Sequence, residues 1–220
     1  MEKKVIELAE KIEFISSKIP GQGPTPVIVE KITIRPLTEE ETIRMLDKAS
    51  IAETLIRQNN KSVDLLDDGD EEMIKAIESP PTEIVRDLLE KRPLLLQKLL
   101  PFFKEMGGGN IKIEEQKEPE SNPELIQKYE NGLITFLVDG KTIKVQKLSR
   151  MSTKIVLKDM ALHQTVLNKT AVDQLKLHII DECKEEALTL FRQKPFCCIR
   201  MALMLLDHTN IELKEIEKKA

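Results

Sequence analysis

Residues 26–36 read Pro26-Val-Ile-Val-Glu-Lys-Ile-Thr-Ile-Arg-Pro36, and the fold turns on how this stretch is paired. β-Branched residues fill most of it, and Ile28, Glu30, Ile32 and Ile34 alternate as a strand requires. A proline at each end suits an edge strand better than a central one. The segments on either side read as helices. Residues 2–19 place Val5, Ala9, Ile12, Ser16 and Ile19 at three-to-four spacing, with Leu8 and Ile15 widening the stripe, which predicts an amphipathic helix. Pro20-Gly-Gln-Gly-Pro-Thr-Pro26 then stops it. A strand alone among helices leaves its N–H and C=O groups unpaired. The stretch 27–34 is therefore expected to pair with Ile111–Glu114, with strands near the C-terminus, or with another chain.

Downstream of the strand, Thr38 followed by Glu39, Glu40 and Glu41 predicts a capped helix start, since carboxylates oppose the positive end of the helix dipole. Its apolar face runs Ile43, Leu46, Ala49, Ala52. Short helices are expected around Met73–Ile77 and Ile84–Leu89, and Pro93 and Pro101 divide Leu94–Phe103 into pieces. Gly107-Gly-Gly109 stops the last. Residues 114–124 contain no large apolar residue and read as a linker. Beyond it, Leu133–Val138 and Thr142–Val145 flank Asp139-Gly140, the turn pair of a tight hairpin. Thr153–Leu157 would add a third strand. Two helices, Ala171–Phe191 and Pro195–Leu206, and a charged tail helix from about Asn210 complete the chain.

The expected fold class is α+β and mainly helical. It has a helical N-terminal half with one isolated strand, and a C-terminal half with a three-stranded antiparallel meander followed by helices. The expected organisation is an N-terminal helix and Pro/Gly linker at 1–24, a mainly helical domain with an edge strand at 25–110, an acidic linker at 111–124, and an α+β domain at 125–220.

Composition narrows the function. The 220 residues hold only eight glycines and 3% aromatics, with no Trp. Scarce glycine argues against glycine-lined phosphate loops, and the core is aliphatic. The N-terminal stretch mixes charges through its apolar residues, so it is not read as a signal peptide. The longest late apolar run, Ile199–Leu206, is broken by Arg200 and falls far short of the ~20 residues that span a bilayer. Three cysteines, Cys183, Cys197 and Cys198, fit reduced intracellular thiols better than a disulfide framework. A cytoplasmic location is expected, which for a viral protein means the host cytoplasm or the virion.

The net charge of −4 is unevenly spread: residues 1–110 carry −5, 111–125 carry −3 and 126–220 carry +4. Lys141, Lys144, Lys147, Arg150, Lys154 and Lys158 fall in a stretch without any acid. Such a run is either a solvated hairpin face, a polyanion-binding patch, or a surface for an acidic protein. The acidic first half of the chain is itself one such surface. Single-strand binders add aromatic platforms, and only Tyr129 and Phe136 lie near.

No catalytic motif survives. Gly140-Lys-Thr142 resembles the end of a phosphate loop, but Thr135 replaces the leading glycine and a strand pattern follows. Gly21-Gln-Gly23 meets Pro26 where a third glycine is needed. Asp64, Asp68 and Gly69 suggest a calcium loop, yet Leu66 and Lys75 occupy ligand positions. An acidic cluster at a helix start explains them better. His178, Asp181, Glu182 and Cys183 lie close in sequence without zinc-site spacing. No metal, cofactor or membrane is expected. The leading function is a non-catalytic protein–protein interaction or assembly protein, of which a viral or phage structural component is one example. Its contact or self-association residues are expected to be Val5, Ile12, Ile28, Ile32 and Ile34. The alternative is a nucleic-acid-associated accessory protein that uses the basic residues of 141–158.

Overall fold

The computed structural model describes residues 2–16, 21, 23–57, 67–116, 132–163 and 165–217, with side chains omitted at 55–57, 67–69 and 209–217. The described residues form eight helices and two three-stranded antiparallel sheets, an α+β architecture.

The strand at 26–34 is not isolated. Residues 2–19 were expected to be helical, but Lys4–Ser16 forms strand β1, which pairs antiparallel along β2 (Thr25–Ile34). β3 (Ile77–Ser79) pairs with the other edge of β2 through Thr33 and Ile34. No other chain is needed to satisfy β2, and Ile111–Glu114 pairs elsewhere. The helical stripe in β1 was misleading because both of its faces carry apolar residues. The even positions Ile6, Leu8, Ile12 and Phe14 turn toward the core, while Val5 and Ile15 on the odd positions are exposed. Read at period two, the same residues describe a strand with one buried face. The register shifts between Glu7 and Ile12, so the pairing of β1 is irregular there, where Glu10 and Lys11 stay in solvent.

Helices α1 (Glu39–Arg57), α2 (Asp67–Ala76), α3 (Thr82–Lys91) and α4 (Leu95–Met106) follow. The α1 cap matches the sequence expectation. Thr38 Oγ1 accepts the Glu41 N–H at 3.2 Å, and Glu41 returns a carboxylate oxygen to the Thr38 N–H at 2.8 Å. Pro101 sits inside α4 rather than dividing it. A first core gathers Val29, Ile32, Ile34, Val85, Leu88, Leu99 and Phe103 between the sheet and these helices.

The second sheet has the order β4-β5-β6, from Ile113–Gln116, Leu133–Val138 and Lys141–Gln146. The Asp139-Gly140 hairpin is present, with both residues at positive φ (50° and 74°). The rest of the meander needs correction. The third strand comes from Ile113–Gln116, part of the supposed linker, and residues 117–124 of that linker lie outside the described residues. Thr153–Leu157 is helical, within α5 (Arg150–His163). Ser149 overrides the β-branched run: its Oγ accepts the Ser152 N–H at 3.1 Å and its C=O accepts the Thr153 N–H at 2.9 Å. That cap starts a helix where composition alone suggested a strand.

The helix expected over 171–191 is two helices, α6 (Asn168–His178) and α7 (Asp181–Gln193). Ile179 between them is extended and bridges Val145 of β6, while the Ile180 N–H donates to Lys144 C=O. The tail is continuous with its predecessor in α8 (Pro195–Glu217). A second core joins Phe136, Val138, Ile143 and Val145 to Leu175, Phe191, Met201 and Leu205.

The two cores interlock. Phe196 of α8 belongs to the first core, while Ile43 and Leu46 of α1 pack on the second. Asp47 of α1 caps α6, accepting the Asn168 N–H at 2.5 Å and the Lys169 N–H at 3.2 Å. Glu39 pairs with Lys176. Arg200 donates to the C=O groups of Gly109 and Ile111 at 2.8 and 2.7 Å. The acidic start of α1 is thus tied to the basic second half within one chain.

Candidate interaction surfaces

Two outward faces carry the residues singled out by sequence, and they differ in kind. The first is the solvent face of the β1–β2 hairpin. Val5 and Ile28 are each 57% exposed and Ile15 reaches 62%. Of the five expected contact residues these two alone face outward. Ile12 packs half-buried against the first core, and Ile32 and Ile34 are fully buried. Ile32 and Ile34 alternate onto the face beneath which α3 and α4 pack, but the register shift in the hairpin changes the phase of β2 between Val29 and Ile32, so that Val29 joins that face and Ile28 turns outward. Between Val5 and Ile28, charge pairs cross the hairpin: Lys31 to Glu7 at 3.0 Å, and Lys11 to Glu30. A face of cross-strand ion pairs with separated apolar residues is what a solvated sheet presents.

The second face is α5. The six basic residues of 141–158 divide over β6, α5 and the short connection that holds Lys147. Lys141 on β6 pairs with Glu186 of α7 at 3.3 Å. Lys144 is half-buried on β6, where its N–H meets the Cys183 Sγ at 3.3 Å. The Lys147 N–H donates to Gly132 C=O. Arg150, Lys154 and Lys158 instead follow one another at four-residue steps on α5 and are exposed. Among the described residues none of these three has a carboxylate partner. Ser152 and Val156 turn inward. At about 100° per residue, Lys154 lies about 160° from each of them, so the cationic line is the outermost line of the helix.

Sequence reading missed what flanks that line. Met151 (68% exposed), Ile155 (45%) and Leu162 (67%) run down one side, with Leu157 and Met160 on the other. The signal was present: from a helix start at Ser149, positions 151, 155 and 162 fall on one stripe. Reading 153–157 as a strand scattered it. Asp159 is half-buried, accepting the Leu167 N–H at 2.9 Å, so the outer face of α5 has cations and apolar groups and no exposed carboxylate.

The chemical candidates resolve into structural roles. His178 is buried, and its Nδ1 donates to Gln174 C=O at 2.8 Å, which leaves Nε2 to accept from the Ser152 hydroxyl at 3.2 Å. Both ring nitrogens are thereby used, Nδ1 within α6 and Nε2 in joining α6 to α5. Burial pushes the Cys197 thiol up to about 11, carries Cys198 well above its ordinary range and raises Cys183. Thiols held protonated are poor nucleophiles. Among the described residues no group of three or more His, Cys, Asp or Glu could hold a metal, and no helix is long and apolar enough to cross a membrane. Asp64 and Leu66 of the acidic turn lie outside the described residues. An open concavity at the β2–β3 end is lined by Lys3, Arg35 and Lys75. Each cation there has a carboxylate partner, Glu78, Glu41 and Glu72 respectively, which leaves little charge for an anion. Comparison with protein-family models, with curated proteins and with solved structures finds no match to this chain.

Proposed function

We propose that this protein is a non-catalytic protein-interaction or assembly component, and that α5 is its principal contact element. One observation carries this: five of the large apolar side chains that remain exposed lie on a single 14-residue helix, beside three cations that have no carboxylate partner among the described residues. Solvated helix faces mix both signs of charge and expose large apolar groups singly. Concentration on one helix marks a surface meant to be covered. The hairpin residues Val5, Ile15 and Ile28 are a secondary contact at most.

The second reading is a nucleic-acid-associated protein, favoured by the six basic residues of 141–158. It leaves the α5 apolar groups without a role, Lys141 is already paired, and Phe136 is fully buried and offers no stacking platform.

A photo-reactive residue at Ile155 or Leu162, with one at exposed Ala9 as control, tests the proposal in cells of the source organism. The expected result is a discrete, protease-sensitive adduct from positions 155 and 162 and none from position 9. A nuclease-sensitive adduct would favour the second reading, and no adduct from either α5 position would refute the proposal.

A further inference from the structure

We infer that the outer face of α5 receives an acidic amphipathic helix of a partner protein, laid along the Met151–Ile155–Leu162 stripe with its carboxylates on Arg150, Lys154 and Lys158. This rests on α5 being the contact element and adds the chemistry of what it contacts.

The stripe has the geometry of a helix–helix seam. Residues 151, 155, 158 and 162 are separated by four, three and four, the spacing by which one helix offers knobs to another. Met151, Ile155 and Leu162 are 45–68% exposed. Lys158 occupies the remaining seam position, where a lysine stem can cover apolar surface while its ammonium reaches a carboxylate at the rim. Arg150 and Lys154 border the seam on its outer side. All three cations lack carboxylate partners among the described residues, so a partner helix with Glu or Asp along one border would supply the missing charge.

Charge and placement decide between occupants. A second copy of α5 would set cation against cation along the same seam. A lipid surface approaching α5 from outside would meet the cationic line first, with the apolar stripe turned about a quarter turn away. Membrane-lying helices instead send the apolar face inward and leave cations at its edges. Nucleic acid would use the cations and leave Met151, Ile155 and Leu162 in water. An acidic amphipathic helix uses both features at once.

The test uses the purified full chain and a fluorescent synthetic helical peptide with leucines at alternating three- and four-residue spacing and glutamates along one border. A scrambled peptide of equal composition, vesicles of phosphatidylserine in phosphatidylcholine, and a single-stranded RNA are compared by anisotropy or co-sedimentation. The variants are Lys154→Glu with Lys158→Glu, and Ile155→Ser with Leu162→Ser. All four positions are exposed, and circular dichroism confirms that the variants keep the fold. Expected is saturable binding of the amphipathic peptide, weakened by about tenfold or more in each double variant and by added salt. Binding unaffected by either double variant would overturn the proposal. So would equal binding of the scrambled peptide, tighter binding of vesicles or RNA, or no peptide binding. If the α5 cross-link forms in cells but the peptide result is negative, the acidic-helix assignment falls and the interaction function stands. If neither is seen, both fall.

Discussion

Replacing Gly107 by alanine tests how the two halves of the chain are joined. Gly107 follows α4 with φ −83° and ψ 9°, a conformation open to any residue. Alanine therefore suffers no backbone strain, and by restricting the unfolded chain it would by itself stabilise by about 0.4–1 kcal/mol. The added Cβ, however, would lie 2.5 Å from Phe196 Cδ2, 3.2 Å from Cε2 and 3.3 Å from the Phe103 carbonyl oxygen. Carbon atoms in contact sit at about 3.5–4.0 Å, so the ring must retreat by about 1 Å. It has little room, because Phe196 is 6% exposed in the first core and its N–H is bonded to Gly107 C=O at 2.9 Å. Overpacking of this kind costs about 1–3 kcal/mol, and the expected net loss for Gly107→Ala is about 1–2 kcal/mol. Phe196→Ala alone should cost about 3–5 kcal/mol through the cavity it leaves. In that background the methyl at 107 enters vacated space, so the second substitution should be neutral or stabilising. Urea unfolding of the four proteins gives the coupling directly. An equal penalty for Gly107→Ala with and without the Phe196 ring would refute the packing argument.

Two further outcomes follow from polar contacts. The Arg35 guanidinium grips Glu41 through both nitrogens at 2.7 and 2.8 Å and, helped by the Thr38 N–H, holds its carboxyl down to about 2. Because the folded value lies below the ordinary 4.5, this stabilisation is complete above about pH 4.5 and is lost as pH falls toward 2. Allowing for solvent screening, about 2 kcal/mol should disappear across that window in wild-type unfolding, and Glu41→Gln should be flatter there. A variant as acid-sensitive as wild type would assign the loss to other groups. Asp47→Ala removes the acceptor of the first two N–H groups of α6 and of the Asn168 side-chain amide. It should cost about 1–2 kcal/mol in thermal or urea unfolding, as loss of a cap does, and a cost below about 0.3 kcal/mol would show that solvent replaces it.

Local signals were legible and long-range pairing was not. Thr38 with Glu41 announced the start of α1, and Asp139-Gly140 announced the β5–β6 turn, since each is written in adjacent residues. β1 was missed because its outward positions 5, 9 and 15 are also apolar, which let a helical stripe compete with the alternation at 6, 8, 12 and 14. Its partner strand is joined through a proline-rich stretch that looked like a terminus to a helix. β4 was hidden in an acidic run, for only Ile113 of its four residues is apolar, and an edge strand tolerates that. For the candidate site, the cations were visible and the apolar stripe was not. One hydroxyl, Ser149 Oγ, separates the strand reading of 153–157 from the helix that aligns Met151, Ile155 and Leu162.

The same placement governs how contact function can be probed at all. On the sequence reading, deleting the N-terminal 36 residues would remove a helix, its Pro/Gly linker and one edge strand. It would instead take away β1 and β2, with Val29, Ile32 and Ile34, and strip the first core of the sheet on which α3 and α4 pack. That core holds Phe196 of α8, and α8 carries Met201 and Leu205 into the second core, so damage at the first strand reaches the far half of the chain. Lost binding after such a deletion would report unfolding. The outer face of α5 has no such coupling. Met151, Ile155 and Leu162 are substantially exposed, and surface substitutions of this kind usually change stability by no more than about 0.5 kcal/mol. Substitutions on α5 can therefore separate what the protein contacts from what holds it together, whereas truncation of the hairpin cannot.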